Sequence, residues 1–142
     1  MKTTLRILAL SLVAVLLVGA LAACGPNKDP KKAAQKLKDA GYEVISVTKG
    51  DTLGDAAIAA AEKALDITGL EAAVVGSKGE SEDDAEYVSI YYFDTAAHAK
   101  DAFDKLKKDF EEETKESKKD VVIKKSGKLV YGGTKAAIKA AG

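Results

Sequence analysis

The chain is short of the residues that most often carry chemistry. Its 142 positions include one cysteine, one histidine, one methionine, one arginine and no tryptophan. A lone thiol cannot close an internal disulfide, so packing alone must hold the fold. Arg6 is the only arginine, and the arginine fork is the preferred tool for bidentate phosphate and carboxylate recognition. Its absence from position 7 onward argues against a nucleic-acid partner, although lysine binds phosphate as a point charge. Acids and bases balance at 22 each, so neither sign dominates.

What is present is most distinctive at the start. Lys2 and Arg6 precede "ILALSLVAVLLV", Ile7 to Val18, which is apolar except at Ser11. A basic segment, an apolar run and a small-residue cleavage site make a secretory signal peptide. Its last four residues, Leu21-Ala22-Ala23-Cys24, resemble the lipobox of bacterial lipoproteins. The resemblance implies a diacylglyceryl group on the Cys24 sulfur and cleavage just before it. Two other readings stay open. Ile7 to Ala23 is 17 residues, at the short limit for an uncleaved membrane span. Ala20-x-Ala22 also suits an ordinary signal peptidase. All three export residues 25–142.

Residues 1–23 therefore read as a lipoprotein signal peptide, 24–30 as a linker after the lipidated cysteine, and 31–142 as one domain. Beyond the leader, 20 lysines face 22 acids. "CGPNKDP" has the Gly, Pro and Asn of a linker. Lys31 to Ala40 reads as a helix between Pro30 and Gly41, and "YEVISVT" as a strand. Leu53 to Asp66 is an alanine-rich helix facing inward with Ile58, Ala61 and Leu65. Leu70 to Val75 and "YVSIYYF", Tyr87 to Phe93, are strands. The stripe Ala96, Ala99, Phe103, Leu106, Phe110 marks a long helix running to about Ser117, capped by Asp94 or Thr95. That stripe is expected to lie on Val88, Ile90 and Tyr92. Val121 to Lys124 and Lys128 to Tyr131 form a hairpin, and Thr134 opens a terminal helix. The order predicts an α+β domain: an antiparallel or mixed sheet of about five strands with helices packed on it. It follows the ferredoxin-like split βαβ sequence, with an added C-terminal strand at a sheet edge beside Val121 to Lys124 and a helix after it.

The chemical motifs each have a plainer explanation. Ser46-x-x-Lys49 with Lys125-Ser126-Gly127 matches two elements of penicillin-binding enzymes, but Ser46 falls in a strand where a helix start is needed. "GKLVYGGT", Gly127 to Thr134, misses the phosphate lysine of a P-loop, leaving the helix start at Thr134 as an anion candidate. His98 is the only candidate general base near neutral pH and reads as a solvated helix histidine. Glu80, Glu82, Asp83, Asp84 and Glu86 lack the ligand spacing of a calcium loop. No cofactor motif appears. Tyr87 and Tyr91 share one strand face and are the candidate interaction surface, unless terminal helices cover them.

"LKDAGYEV", "YVSIYYFDTAAHAKDAF" and "SGKLVYGGTKAAIKAA" behind a lipobox resemble small, functionally uncharacterised bacterial lipoproteins. The resemblance implies one extracytoplasmic domain and supplies no activity. The expected function is a membrane-anchored, extracytoplasmic, non-catalytic binding or envelope-associated module. Its partners would be the membrane, through Cys24, and an envelope protein or glycan, with the domain itself a monomer. The alternative is a small-ligand carrier or enzyme whose site the sequence does not display.

Overall fold

The computed structural model of the chain describes residues 25–81, 84–115 and 120–142. The leader, Cys24, the loop acids Glu82 and Asp83, and the expected helix end at Ser117 lie outside them.

Asp29 starts helix α1 (Pro30–Asp39): its carboxylate accepts from the Lys31 N–H, and Pro30 occupies the first turn, where its missing N–H costs nothing. Ala33, Ala34 and Leu37 form the buried side. Strand β1 (Glu43–Thr48) leads into α2 (Thr52–Leu65), which returns through Asp66 to β2 (Leu70–Lys78). Strand β3 (Glu86–Phe93) follows, then α3 (Ala96–Glu113), β4 (Val121–Ser126), β5 (Leu129–Thr134) and α4 (Lys135–Ala140). The Thr95 hydroxyl caps α3 by accepting from the His98 N–H at 3.1 Å.

The α+β class holds. The five strands run in the order β1-β2-β3-β5-β4 and every neighbouring pair is antiparallel. This is not the ferredoxin-like order. A split βαβ unit places another strand between the two that flank its helix, whereas β1 and β2, on either side of α2, bond directly to each other. The last strand also departs from expectation: β5 sits inside the sheet and β4 takes the edge. The side chains explain the exchange. All six residues of β5 are buried, while β4 ends in the exposed Lys124, Lys125 and Ser126, which suit an edge.

Helices cover both faces. On one, α1 and α4 bury Leu37 and Ile138 with Val74, Val88, Ile90, Tyr92 and Tyr131. On the other, α2 and α3 bury Ile58, Ala99 and Ala102 with Leu70, Phe93 and Val130. The long helix thus packs on the face opposite the one expected. Its stripe joins Tyr91, Phe93, Val130 and Ile123 instead of Val88, Ile90 and Tyr92. Strand β3 is apolar on both sides, so its pattern could not choose, and α1 with α4 fill the other side. The helix is also turned: Ala102 is buried, Phe103 is half-buried and Ala96 is exposed.

One backbone approach decides how β5 meets β3. Gly133 lies opposite Val88 with φ +147°, and a Cβ there would overlap the Tyr87 carbonyl oxygen. Only glycine fits. At the other edge, Ile45 and Val75 face each other across β1 and β2 and remain 72% and 38% exposed. No described helix is long and apolar enough to cross a membrane.

Candidate functional site

The segment read as a linker is held against the domain. Pro26 is buried and Asn27 half-buried. The Asn27 N–H donates to the Ala141 carbonyl at 2.9 Å, and its carbonyl accepts from the Tyr92 hydroxyl at 2.7 Å. Its side chain accepts from the Asp29 N–H, 2.9 Å away, just before the cap of α1. Gly25 rests against the Tyr131 hydroxyl with no room for a Cβ. Burial, and then the Asp29 charge, push the Tyr92 phenol well above its ordinary pKa, so the hydroxyl stays a donor. Residues 25–29 form a strap rather than a free spacer.

The strap borders a cleft of about 570 Å³ at one end of the sheet. Ends of all five strands meet there. The Lys49 N–H, just past β1, donates to the Glu71 carbonyl at 2.8 Å, and the Phe93 N–H donates to the Lys128 carbonyl at the same distance. These bonds set Lys49 and Lys128 at the cleft, and the strap supplies Lys28. Ala72, Phe93 and Leu129 provide apolar lining. Lys28, Lys49 and Lys128 make no ion pair or side-chain hydrogen bond among the described residues, and neither does the Glu71 carboxylate. Three free ammoniums against the Glu71 carboxylate, with the Asp29 charge also close to Tyr92, leave the cleft a small excess of positive charge, suited to an anion.

A second hollow, of about 200 Å³, lies beside His98 and is lined by Thr68, Asp101 and Lys105. The His98 Nδ1 meets the Asp94 carboxylate at 2.6 Å, one turn earlier in the chain. A carboxylate only accepts, so the proton sits on Nδ1. This bond, first among several causes, holds the Asp94 carboxyl below the usual carboxylate range. Both side chains rest on Gly69, whose carbonyl accepts from the Asp94 N–H at 2.9 Å and whose own N–H donates to Glu62 at 3.0 Å. An oriented histidine is half of a nucleophile–base pair. Among the described residues no hydrogen bond joins a hydroxyl to the His98 ring, the nearby Thr68 included. Lys105 instead bonds the Asp66 carbonyl and carboxylate across the hollow's rim.

The remaining sequence candidates separate. Tyr91 packs into the α2–α3 core, and burial raises its phenol pKa. Tyr87 is half-buried near Glu113 at the end of α3. The two tyrosines therefore share a face that α3 largely covers, and not one of the terminal helices. Ser46 is exposed on β1, and Lys49, Ser126 and Gly127 line the cleft. The Thr134 hydroxyl exchanges hydrogen bonds with the Tyr87 backbone at 3.2 and 3.3 Å rather than capping α4. Of the acidic loop, Glu86 accepts from the Tyr42 hydroxyl at 2.5 Å and Asp84 from Ser81 at 3.3 Å. No group of three metal-ligating side chains occurs among the described residues. Lys28, Glu71 and Lys128 escaped the sequence reading, because only the strand order gathers them. No family model, curated protein or solved structure matches the chain.

Proposed function

We propose that the chain is an extracytoplasmic lipoprotein, anchored through Cys24, whose single domain works as a non-catalytic binding module close against its membrane. The strap carries this reading. A lipid on Cys24 would attach one residue before Gly25, where the backbone is already packed on Tyr131, so the anchor has no flexible spacer behind it. The Leu-Ala-Ala-Cys pattern behind a basic and apolar leader supports the anchor itself. A fold that needs no disulfide is consistent with spending its one thiol on lipid. Binding is preferred over catalysis because three lysines line one cleft, while His98 is engaged by Asp94 on the surface.

The test is Cys24→Ala in the full chain, expressed in a bacterial host. The wild type should fractionate with membranes and show, by intact mass, a diacylglyceryl group on a chain starting at Cys24. The variant should lose both features and accumulate as precursor. A wild-type mature terminus at Ala23 or earlier would overturn the reading.

A further inference from the structure

We propose that the cleft between Lys28, Lys49 and Lys128 is a phospholipid headgroup site that seats the domain on an anionic bilayer in one orientation. The proposal rests on the anchor reading for its geometry. Lys28 is four residues from Cys24, so no more than about 14 Å of chain separates the cleft from the point where acyl chains would enter the bilayer. The strap fixes that short path, because Asn27 is bonded to both Tyr92 and Ala141. The cleft's chemistry matches the interface it would meet. Three exposed lysines with no internal partner line it, and their ammoniums suit phosphate oxygens, over a floor of the largely buried Ala72, Phe93 and Leu129. Glu71 opposes this charge from within the cleft and weakens the attraction without cancelling it. Lys31 and Lys32, exposed on the first turn of α1, add to the basic character of the same stretch.

The physical role is a second attachment. One anchor holds a protein at a surface but leaves it free to rotate, whereas a basic patch beside the anchor adds electrostatic attraction that depends on lipid charge. Losing the three cleft lysines should reduce partition to anionic vesicles on the order of a hundredfold, from the usual contribution per lysine near such a surface. Removing Glu71 should strengthen it about fivefold by the same rule.

The experiment uses the protein purified after expression of the full chain, whatever N-terminus processing leaves it. It is mixed with vesicles of zwitterionic phospholipid alone or with about a third anionic phospholipid. Co-sedimentation and the acetylation rate of each lysine, read by mass spectrometry, are measured together. Lys28, Lys49 and Lys128 should become at least fivefold slower to acetylate on the anionic vesicles, while Lys108 on α3 keeps its rate. The triple Lys→Gln variant should lose the anionic preference, and Glu71→Gln should increase it. Thermal melts confirm that both variants fold. Equal protection of every lysine would overturn the proposal, as would no dependence on lipid charge. Millimolar inorganic phosphate protecting the three lysines as well as the vesicles do would assign the cleft to a free anion and overturn the lipid source. Intact mass reports the Cys24 lipid separately. A chain without lipid that still prefers anionic vesicles through these lysines would sink the anchor and keep the cleft.

Discussion

Tyr92→Phe tests the strap by removing one oxygen atom. The phenol is 6% exposed within the core of α1, α4 and β3, and its hydroxyl donates to the Asn27 carbonyl at 2.7 Å. The ring stays, so no cavity opens. What is lost is one hydrogen bond, with a net contribution of about 0.5–1.5 kcal/mol. The orphaned carbonyl belongs to a half-buried residue that water reaches, so the larger penalty of a fully buried unsatisfied group does not apply. A loss of about 1 kcal/mol corresponds to roughly fivefold easier release of the strap. The Asn27 amide reports that release directly, because its N–H is held by the Ala141 carbonyl at 2.9 Å. Amide hydrogen exchange of Asn27 should therefore accelerate about fivefold in the variant. Global stability from a urea melt should fall by the same amount of about 1 kcal/mol. An Asn27 rate within a factor of two of wild type, alongside a full loss of global stability, would refute the reasoning. Tyr92 would then support the core alone, and the strap would be held elsewhere.

Two further outcomes follow from the packing and the His98 pair. Ile90→Ala should cost about 2–5 kcal/mol, since Ile90 is fully buried at the centre of the sheet, while Phe103→Ala should cost only about 2 kcal/mol because its ring is half-exposed. Denaturant melts with the reverse ranking would restore the helix orientation expected from the apolar stripe. Asp94 has a folded pKa below its unfolded value, so its contribution is complete above the ordinary carboxylate pKa and fades as pH falls through the folded one. The melting temperature of wild type should accordingly exceed that of Asp94→Asn at pH 6, and the gap should close below about pH 4; a gap that widens in acid would contradict the assignment.

How much the residues announced depends on where each signal resides. The helices and strands declared themselves because their cues are local: Pro30 and Gly41 bracket α1, and the hairpin of β4 and β5 turns at Gly127. The helix α3 was visible as a stripe, but its depth was misjudged. Large side chains mark a face, whereas Ala99 and Ala102 allow the closest approach to the sheet and so become the buried line. The choice of sheet face was beyond any periodicity, because Val88, Ile90 and Tyr92 compete with Tyr91 and Phe93 on equal apolar terms. The cleft was hidden for a different reason. Lys28 and Lys128 stand a hundred positions apart in a chain with 21 lysines, and nothing local distinguishes them from their solvated counterparts. The strap was masked by its own composition, since Gly, Pro and Asn spell a linker unless a buried phenol waits to bind the carbonyl.

The two-sided apolar character of β3 has a kinetic side as well. In an ordinary half-buried strand, sliding by one residue throws the hydrophobic set into water and is penalised at once. Here a one-residue slip would exchange one apolar set for another, so burial alone proofreads poorly during assembly. The discrimination passes to contacts that exist in a single alignment. Gly133 is one, because a slip that brought Thr134 to its place would press a side chain against the Tyr87 carbonyl. The paired bonds between the Thr134 hydroxyl and the Tyr87 backbone are another. The end of β5 is therefore a latch that favours one alignment among those that burial alone would tolerate.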